Sequence, residues 1–296
     1  MNNTLITGAS GLLGSNLVRH YASISNCTGW YSSNQISIDG AILDRVDLTD
    51  HRAVETALQR TQPDLIIHCA AASDVDWCEQ HPDQAKAINV DATKFMVEQS
   101  IKHGSKFIFV SSPFIFDGIA GHYRESDLPG PLNSYATGKV IAEEYVTDID
   151  SNSLIVRACF FGHSPAGNHS LLEWVLGTAA NAVEVPGFTD SYFSPISVLD
   201  FADALDAAIA DDTSGILHLG SSNAVSKYEF ARMVLATYGF DAKLLSPITV
   251  AEADLNANRP RNTSLDVSLL QKIWKKTAPT VTRGIERFAD QPNPFS

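Results

Sequence analysis

Residues 4–18 read Thr4-Leu5-Ile6-Thr7-Gly8-Ala9-Ser10-Gly11-Leu12-Leu13-Gly14-Ser15-Asn16-Leu17-Val18. A short apolar run of β type leads into three glycines with two residues between each, then into an amphipathic helical pattern. Each glycine has a physical task in a strand–turn–helix that binds a pyrophosphate. Gly8 permits the tight turn off the strand. Gly11 has no side chain to block an approaching phosphate, and Gly14 lets the helix lie close to the strand. The helix N-terminus offers N–H groups and a partial positive charge to the anion. Ser10, Leu12 and Leu13 fall in the same turn and are assigned to the same cradle. The strand before and the helix after distinguish this stretch from a glycine-rich turn without a ligand.

Outward from this unit, strand-like runs recur at Leu5–Thr7, Cys27–Trp30, Leu65–Cys69, Phe107–Val110 and Leu154–Arg157. Helical patterns separate them at Gly14–Ser23, His51–Arg60, Ala85–His103 and Tyr135–Asp148. That alternation predicts an α/β fold, a doubly wound (Rossmann) parallel sheet with helices on both faces. Ligands of such sheets sit at the carboxyl ends of the strands. Gly8 to Gly14, Asp47-Leu48, Cys69 to Ala72 and Ser111-Ser112 all fall there. After about residue 157 the rhythm changes. Gly162 to His169 reads as a loop, Ser170–Ala180 as a helix, Ser194–Asp211 as a short strand and helix, Ile216–Leu219 as a strand and Lys227–Tyr238 as a helix. The expected division is a dinucleotide-binding domain, 1–156 with 190–220, and a smaller substrate-binding part, 157–189 with 221–296.

A second pattern carries chemistry. In Ser134-Tyr135-Ala136-Thr137-Gly138-Lys139 the tyrosine and the lysine are four residues apart and share a helix face. A fixed ammonium favours the phenolate, so Tyr135 is expected to ionise below its free pKa of roughly 10 and to act as an acid or base near neutral pH.

The chain has 296 residues, and 34 acidic against 21 basic side chains give a net charge of −13. With no Lys/Arg cluster to offset that field, nucleic acid and anionic membrane are excluded as expected partners. Cys27, Cys69, Cys78 and Cys159 show neither metal spacing nor a disulfide framework, and no metal site is expected. No signal peptide is legible, and no apolar run reaches the roughly 20 residues of a membrane span. A reduced, cytoplasmic protein is expected.

With both motifs in hand, the chain resembles the extended short-chain dehydrogenase/reductase superfamily, and within it most the dTDP-4-dehydrorhamnose reductase group. The likeness runs over nearly the whole length. It includes Thr7-Gly8-x-x-Gly11-x-x-Gly14, Asp47-Leu48-Thr49-Asp50, Pro63-Asp64 through Ala70-Ala71, and Val75-Asp76-x-x-Glu79-x-x-Pro82. Asn89-Val90, Phe116-Asp117-Gly118, Tyr123-x-Glu125-x-Asp127-x-Pro129 and Tyr135-x-x-x-Lys139 follow, and Arg259-Pro260-Arg261-Asn262-Thr263-Ser264-Leu265-Asp266 closes the series.

The resemblance implies roles. Tyr135 would protonate a ketone oxygen as hydride arrives from a nicotinamide. Lys139 would lower the tyrosine pKa and grip the nicotinamide ribose. Ser112 would donate to the same oxygen and stabilise developing charge. Asn89 is similar to the asparagine that places the lysine through water. Asp47 and Leu48 would contact adenine, Tyr31 and Ser32 would lie beside its ribose, and Cys69, Ala70, Ala71 and Ala72 would line the cofactor. Ser73, Trp77, Ser112, Phe114 and Arg259 would face the substrate. The expected activity is NAD(P)H-dependent reduction of a 4-keto nucleotide sugar. A homodimer is the family-level expectation.

The chain also departs from the group. Where a Ser-Thr pair usually continues with Asp-Tyr, Ser111-Ser112 is followed by Pro113-Phe114. Ala72-Ser73 replaces a Tyr-Thr pair, and Trp77 replaces a small or charged residue. The catalytic trio survives while the substrate wall has changed. Arg157, Arg259 and Arg261 each suit either a phosphate or an ion pair. His163 and His169 read as loop residues. The end of the second strand, Trp30-Tyr31-Ser32-Ser33-Asn34, has neither the acid that favours NAD nor an arginine for NADP; its small hydroxyls tolerate a 2′-phosphate, so NADPH is expected over NADH. Two other functions remain open: an epimerase or dehydratase that keeps NAD bound, and a non-catalytic binding protein like the regulatory subunit of methionine adenosyltransferase.

Overall fold

The structure is a computed structural model that describes residues 3–167, 170–291, 293 and 295. His169 therefore lies outside the described residues. Six strands, β1 (Asn3–Thr7), β2 (Asn26–Tyr31), β3 (Ala41–Arg45), β4 (Leu65–His68), β5 (Lys106–Ser111) and β6 (Leu154–Ala158), join the strand Gly215–Leu219 in one sheet. The spatial order is Gly215–Leu219, β6, β5, β4, β1, β2, β3. Every neighbouring pair is parallel. The chain starts at β1, winds outward to β3 and returns past β1 to β4, so the order reverses between β1 and β4 and leaves a crevice there.

Burial explains the parallel sheet. Leu5, Ile6, Ile66, Ile67, Phe107 and Ile108 are wholly buried, as a sheet covered on both faces requires. Their alternate side chains feed two apolar clusters, one on each face. The covering helices include α1 (Leu12–Ala22), α2 (His51–Thr61), α3 (Val75–Gln80), α4 (Pro82–Lys86), α5 (Ala92–His103) and α6 (Ser134–Ile149). Asp50 caps α2 by accepting from the Ala53 N–H, and Asn133 caps α6 by accepting from the Ala136 N–H. The later part contributes α7 (Leu171–Ala180), α8 (Val198–Ala210), α9 (Lys227–Thr237), α10 (Ser268–Trp274) and α11 (Val281–Ala289).

Two local readings are corrected. β3 was not expected, because Ala41–Arg45 is only half covered and lacks a continuous apolar run; its pairing with β2 decides it. The helix expected over 85–103 is interrupted by a π-turn at Ala87–Asp91, which inserts an extra residue and re-aims Asn89.

The late signature is held by backbone pairing. The Asn262 N–H donates to the Gly118 carbonyl, Tyr123 N–H to Ser264, and Asp266 N–H to Tyr123. Gly118 has φ +75°, and a Cβ there would stand 2.6 Å from the Arg261 nitrogen, so glycine is required for this close approach. Among the described residues no helix is long and apolar enough to cross a membrane.

Candidate functional site

The glycine turn leaves β1 at the crevice. Gly8 has φ +69°, and a Cβ on Gly14 would fall 2.1 Å from the Gly8 carbonyl oxygen. Helix α1 can therefore lie this close only with glycine at position 14. Gly11 is the N-cap of α1 and makes no side-chain cap bond, so the first-turn N–H groups of Leu12 and Leu13 face the turn as an anion site needs. These residues fit a dinucleotide pyrophosphate. Ser10 is half-buried on the same turn.

β4 ends beside it. Thr7 Oγ1 accepts from the Ala70 N–H at 3.2 Å and bonds His68 Nδ1 at 2.9 Å; His68 Nε2 bonds Thr93 at 3.1 Å. Cys69, Ala70, Ala71 and Ala72 are half-buried beside the glycine turn, with Ala70 packed against Gly8. The Asn89 amide closes on both backbone atoms of Ala72, accepting from its N–H at 2.8 Å and donating to its carbonyl at 2.9 Å. Asn89 thus fastens the loop after β4. At the far edge, Leu48 is buried, and Asp47 is exposed and accepts from Thr49 N–H at 2.9 Å. Tyr31 is half-buried and Ser32 is exposed.

Sequence reasoning missed one residue at that edge. Arg45 ends β3, pairs in register with Tyr31, and donates from Nε to the Ser32 carbonyl at 2.9 Å. Its signal was hidden because β3 itself was not recognised.

Tyr135 and Lys139 lie on α6, both buried, and Ser112 is buried at the end of β5. Burial pushes the Tyr135 phenol up to about 12, partly opposed by the Ser112 hydroxyl. Burial pulls Lys139 down to about 8, opposed by Cys69 and Glu143. The expectation that the lysine eases tyrosine ionisation is therefore corrected: desolvation dominates here, and the phenol keeps its proton. The Lys139 Nζ donates to the Val110 carbonyl at 2.9 Å and sits 4.7 Å from the Phe109 ring centroid.

Tyr135 also belongs to a small apolar cluster with Val75, Cys78, Ala85 and Ala257, against which Ala72, Trp77 and Phe114 pack. The changed wall positions Trp77 and Phe114 are thus gathered around the phenol. Trp77 stacks on His81 at 4.8 Å, while Ser73 is exposed. Arg259 reaches the same neighbourhood: its Nη2 meets Asp76 at 2.8 Å, and Asp76 also accepts from the Ala257 N–H. Arg261 pairs with Asp190 at 3.2 Å at the surface. Arg157 is not at the cleft surface; it is buried against Glu143. His163 lies in a loop, as expected, and is buried; its carbonyl accepts from Asn16 at 2.8 Å.

A parallel sheet of this order, a glycine turn at its switch point and a Tyr/Lys pair beside a strand-end serine define an extended short-chain dehydrogenase/reductase. Residues 1–293 match the family described as RmlD substrate binding domain, and the chain belongs to that family. It is 33% identical to the probable low-salt glycan biosynthesis reductase Agl14 of Haloferax volcanii, over 93% of each chain. It is 27% identical to methionine adenosyltransferase 2 subunit beta of Bos taurus, over 91% of this chain and 81% of that one. Among solved structures, a hypothetical dTDP-4-dehydrorhamnose reductase from Sulfolobus tokodaii superposes with a TM-score of 0.84 at 30% identity, covering 95% of this chain and 97% of the other. The dTDP-4-dehydrorhamnose reductase of Bacillus anthracis in complex with NADP has the same fold, with a TM-score of 0.84 at 24% identity over 97% and 99% of the chains.

Proposed function

We propose that this protein reduces the 4-keto group of a nucleotide-activated sugar at the expense of NADPH, with Tyr135 as the proton donor. The observation that carries the reading is the buried phenol of Tyr135, one helical turn from Lys139 and hydrogen-bonded to Ser112. When bound, the nicotinamide supplies the hydride, which becomes the new C–H bond. Tyr135 gives its proton to the ketone oxygen, and Ser112 donates a hydrogen bond to that oxygen as charge gathers on it. Lys139 holds positive charge beside the phenol, which favours the phenolate left after transfer. Asn89 keeps the cofactor edge at Ala72 in place. Trp77 and Phe114 form an apolar wall that excludes water from the sugar. Arg45 beside Ser32 suits a 2′-phosphate and supports NADPH over NADH.

The test is NADPH oxidation, followed by its absorbance, with a panel of 4-keto nucleotide sugars, wild type beside Tyr135→Phe. Turnover in the wild type that falls roughly 10²–10⁴-fold in Tyr135→Phe, with NADPH still bound, is expected. Oxidised cofactor that copurifies would instead mark an epimerase or dehydratase cycle.

A second reading, a binding subunit without turnover, is favoured by the likeness to methionine adenosyltransferase 2 subunit beta. It predicts no turnover with any sugar of the panel, NADPH binding unaffected by Tyr135→Phe, and a stable hetero-complex.

A further inference from the structure

Beside the late signature stands a cation that the proposed chemistry does not use. Lys227 is the first residue of α9. The nearby carboxylate of Glu229 is committed to the helix cap, accepting from the Ser226 N–H at 2.7 Å and its hydroxyl at 3.1 Å. Among the described residues, no carboxylate lies within ion-pair distance of Lys227, whereas Arg259 has Asp76 at 2.8 Å and Arg261 has Asp190 at 3.2 Å. The Lys227 side chain is half-buried, with its ammonium 5.5 Å from the Phe188 ring centroid.

Backbone pairing brings Lys227 to the late signature. Ser226 lies opposite Tyr192, and Tyr192 lies opposite Asn262. The Tyr192 N–H donates to the Arg261 carbonyl at 2.7 Å, and the Lys227 N–H donates to the Ser191 carbonyl at 2.9 Å. The start of α9 and the Arg259–Asn262 stretch therefore flank one short strand, Tyr192–Phe193. Burial lowers the Lys227 pKa; the Cys159 thiol opposes this, and the charge of Arg259 adds to it. Ala257, two residues before Arg259, packs in one apolar cluster with Tyr135, against which Trp77 and Phe114 also lie, so the Arg259 segment borders the phenol.

A second cation beside an arginine in a partly dry position, without a counter-ion, is unfavourable on its own. A chain with 34 acidic residues does not lack carboxylates to neutralise it. The missing negative charge is therefore expected from a ligand. We propose that Lys227, with Arg259, holds the diphosphate of the nucleotide-activated substrate. Arg259 offers a planar fork and Lys227 a point charge, a pair that suits two linked phosphates. From there the sugar extends over Phe114 and Trp77 to Tyr135. This assignment rests on the nucleotide-sugar reading.

The experiment is calorimetric titration of the full chain with dTDP, UDP, GDP and ADP, and with the corresponding nucleosides. Wild type is compared with Lys227→Met and Lys227→Arg. The expected result is a roughly 10- to 100-fold loss of nucleoside diphosphate affinity in Lys227→Met. Lys227→Arg recovers most of it, NADPH affinity is unchanged, and the melting temperature of the free protein is unchanged or raised. Nucleoside diphosphate affinity within twofold of wild type in Lys227→Met overturns the assignment and leaves the nucleotide-sugar reading standing. So does a drop in melting temperature together with equal loss of NADPH binding, because Lys227 is then structural. A wild type that binds none of the four diphosphates removes the nucleotide-sugar reading and this assignment with it.

Discussion

Arg157 grips Glu143 with two nitrogens: Nε meets the two carboxylate oxygens at 3.2 and 3.1 Å, and Nη2 meets one of them at 2.7 Å. Both side chains are at most 5% exposed. Glu143 also accepts from the Ser111 hydroxyl. It follows Lys139 by one helical turn and Tyr135 by two, so the buried pair anchors the face of α6 that carries the reactive groups. Removing one partner strands a buried charge. Arg157→Met should cost about 3–5 kcal/mol in urea unfolding, and the joint replacement Glu143→Leu with Arg157→Met should recover most of it. Equal losses in the single and double variants would refute the pairing as the source of the effect.

Lys139 makes stability and activity move in opposite directions with pH. Its folded pKa is about 8 against an ordinary 10.5. Between these values the unfolded chain holds a proton that the folded chain has released, so stability rises with pH across that window. Lys139→Met should flatten this rise in pH-dependent unfolding. Turnover should fall above about pH 8 as the ammonium is lost. Glu143→Gln removes a charge that raises the Lys139 pKa, so the alkaline fall in turnover should begin at lower pH in that variant.

Buried histidines set the acid limb. His68 is pulled down to about 3 and His218 to about 4, each by burial first. Below the ordinary value of 6.5 the unfolded chain takes up protons that the folded one refuses, so stability falls with pH until about 3. His68 bonds Thr7 and Thr93, and removing it would cost each hydroxyl one of its two partners, leaving Ala70 N–H to Thr7 and the Asn89 carbonyl to Thr93. His218 packs edge-on to Phe116 at 5.9 Å, and His218→Phe should reduce the pH dependence of the melting temperature between pH 6 and 4. An unchanged slope would count against it.

Arg45 should discriminate the cofactors. Arg45→Gln is expected to weaken NADPH about tenfold while NADH affinity stays the same, read by nicotinamide fluorescence on the free protein. Equal affinities for NADPH in the two proteins would remove Arg45 as a determinant.

The strand and helix alternation was legible because continuous apolar runs and helical periodicity are local signals: Leu65–His68 and His51–Arg60 need no partner to be recognised. Ala41–Arg45 has no such run, and only its pairing with β2 makes it a strand. Arg45 was overlooked for the same reason. Arg157 could be read as a phosphate ligand or a surface pair, since nothing near it in sequence announces Glu143, which lies on a different element.

The glycine spacing and the Tyr135/Lys139 spacing by themselves determined a dinucleotide turn and a shared helix face, because both follow from backbone geometry over a few residues. The electrostatic character of the site was decided only by the tertiary structure. Desolvation depends on what packs around a group, so burial raises the Tyr135 pKa and lowers that of Lys139. The meeting of Lys227 with the Arg259 segment likewise exists only through strand pairing between distant stretches of chain.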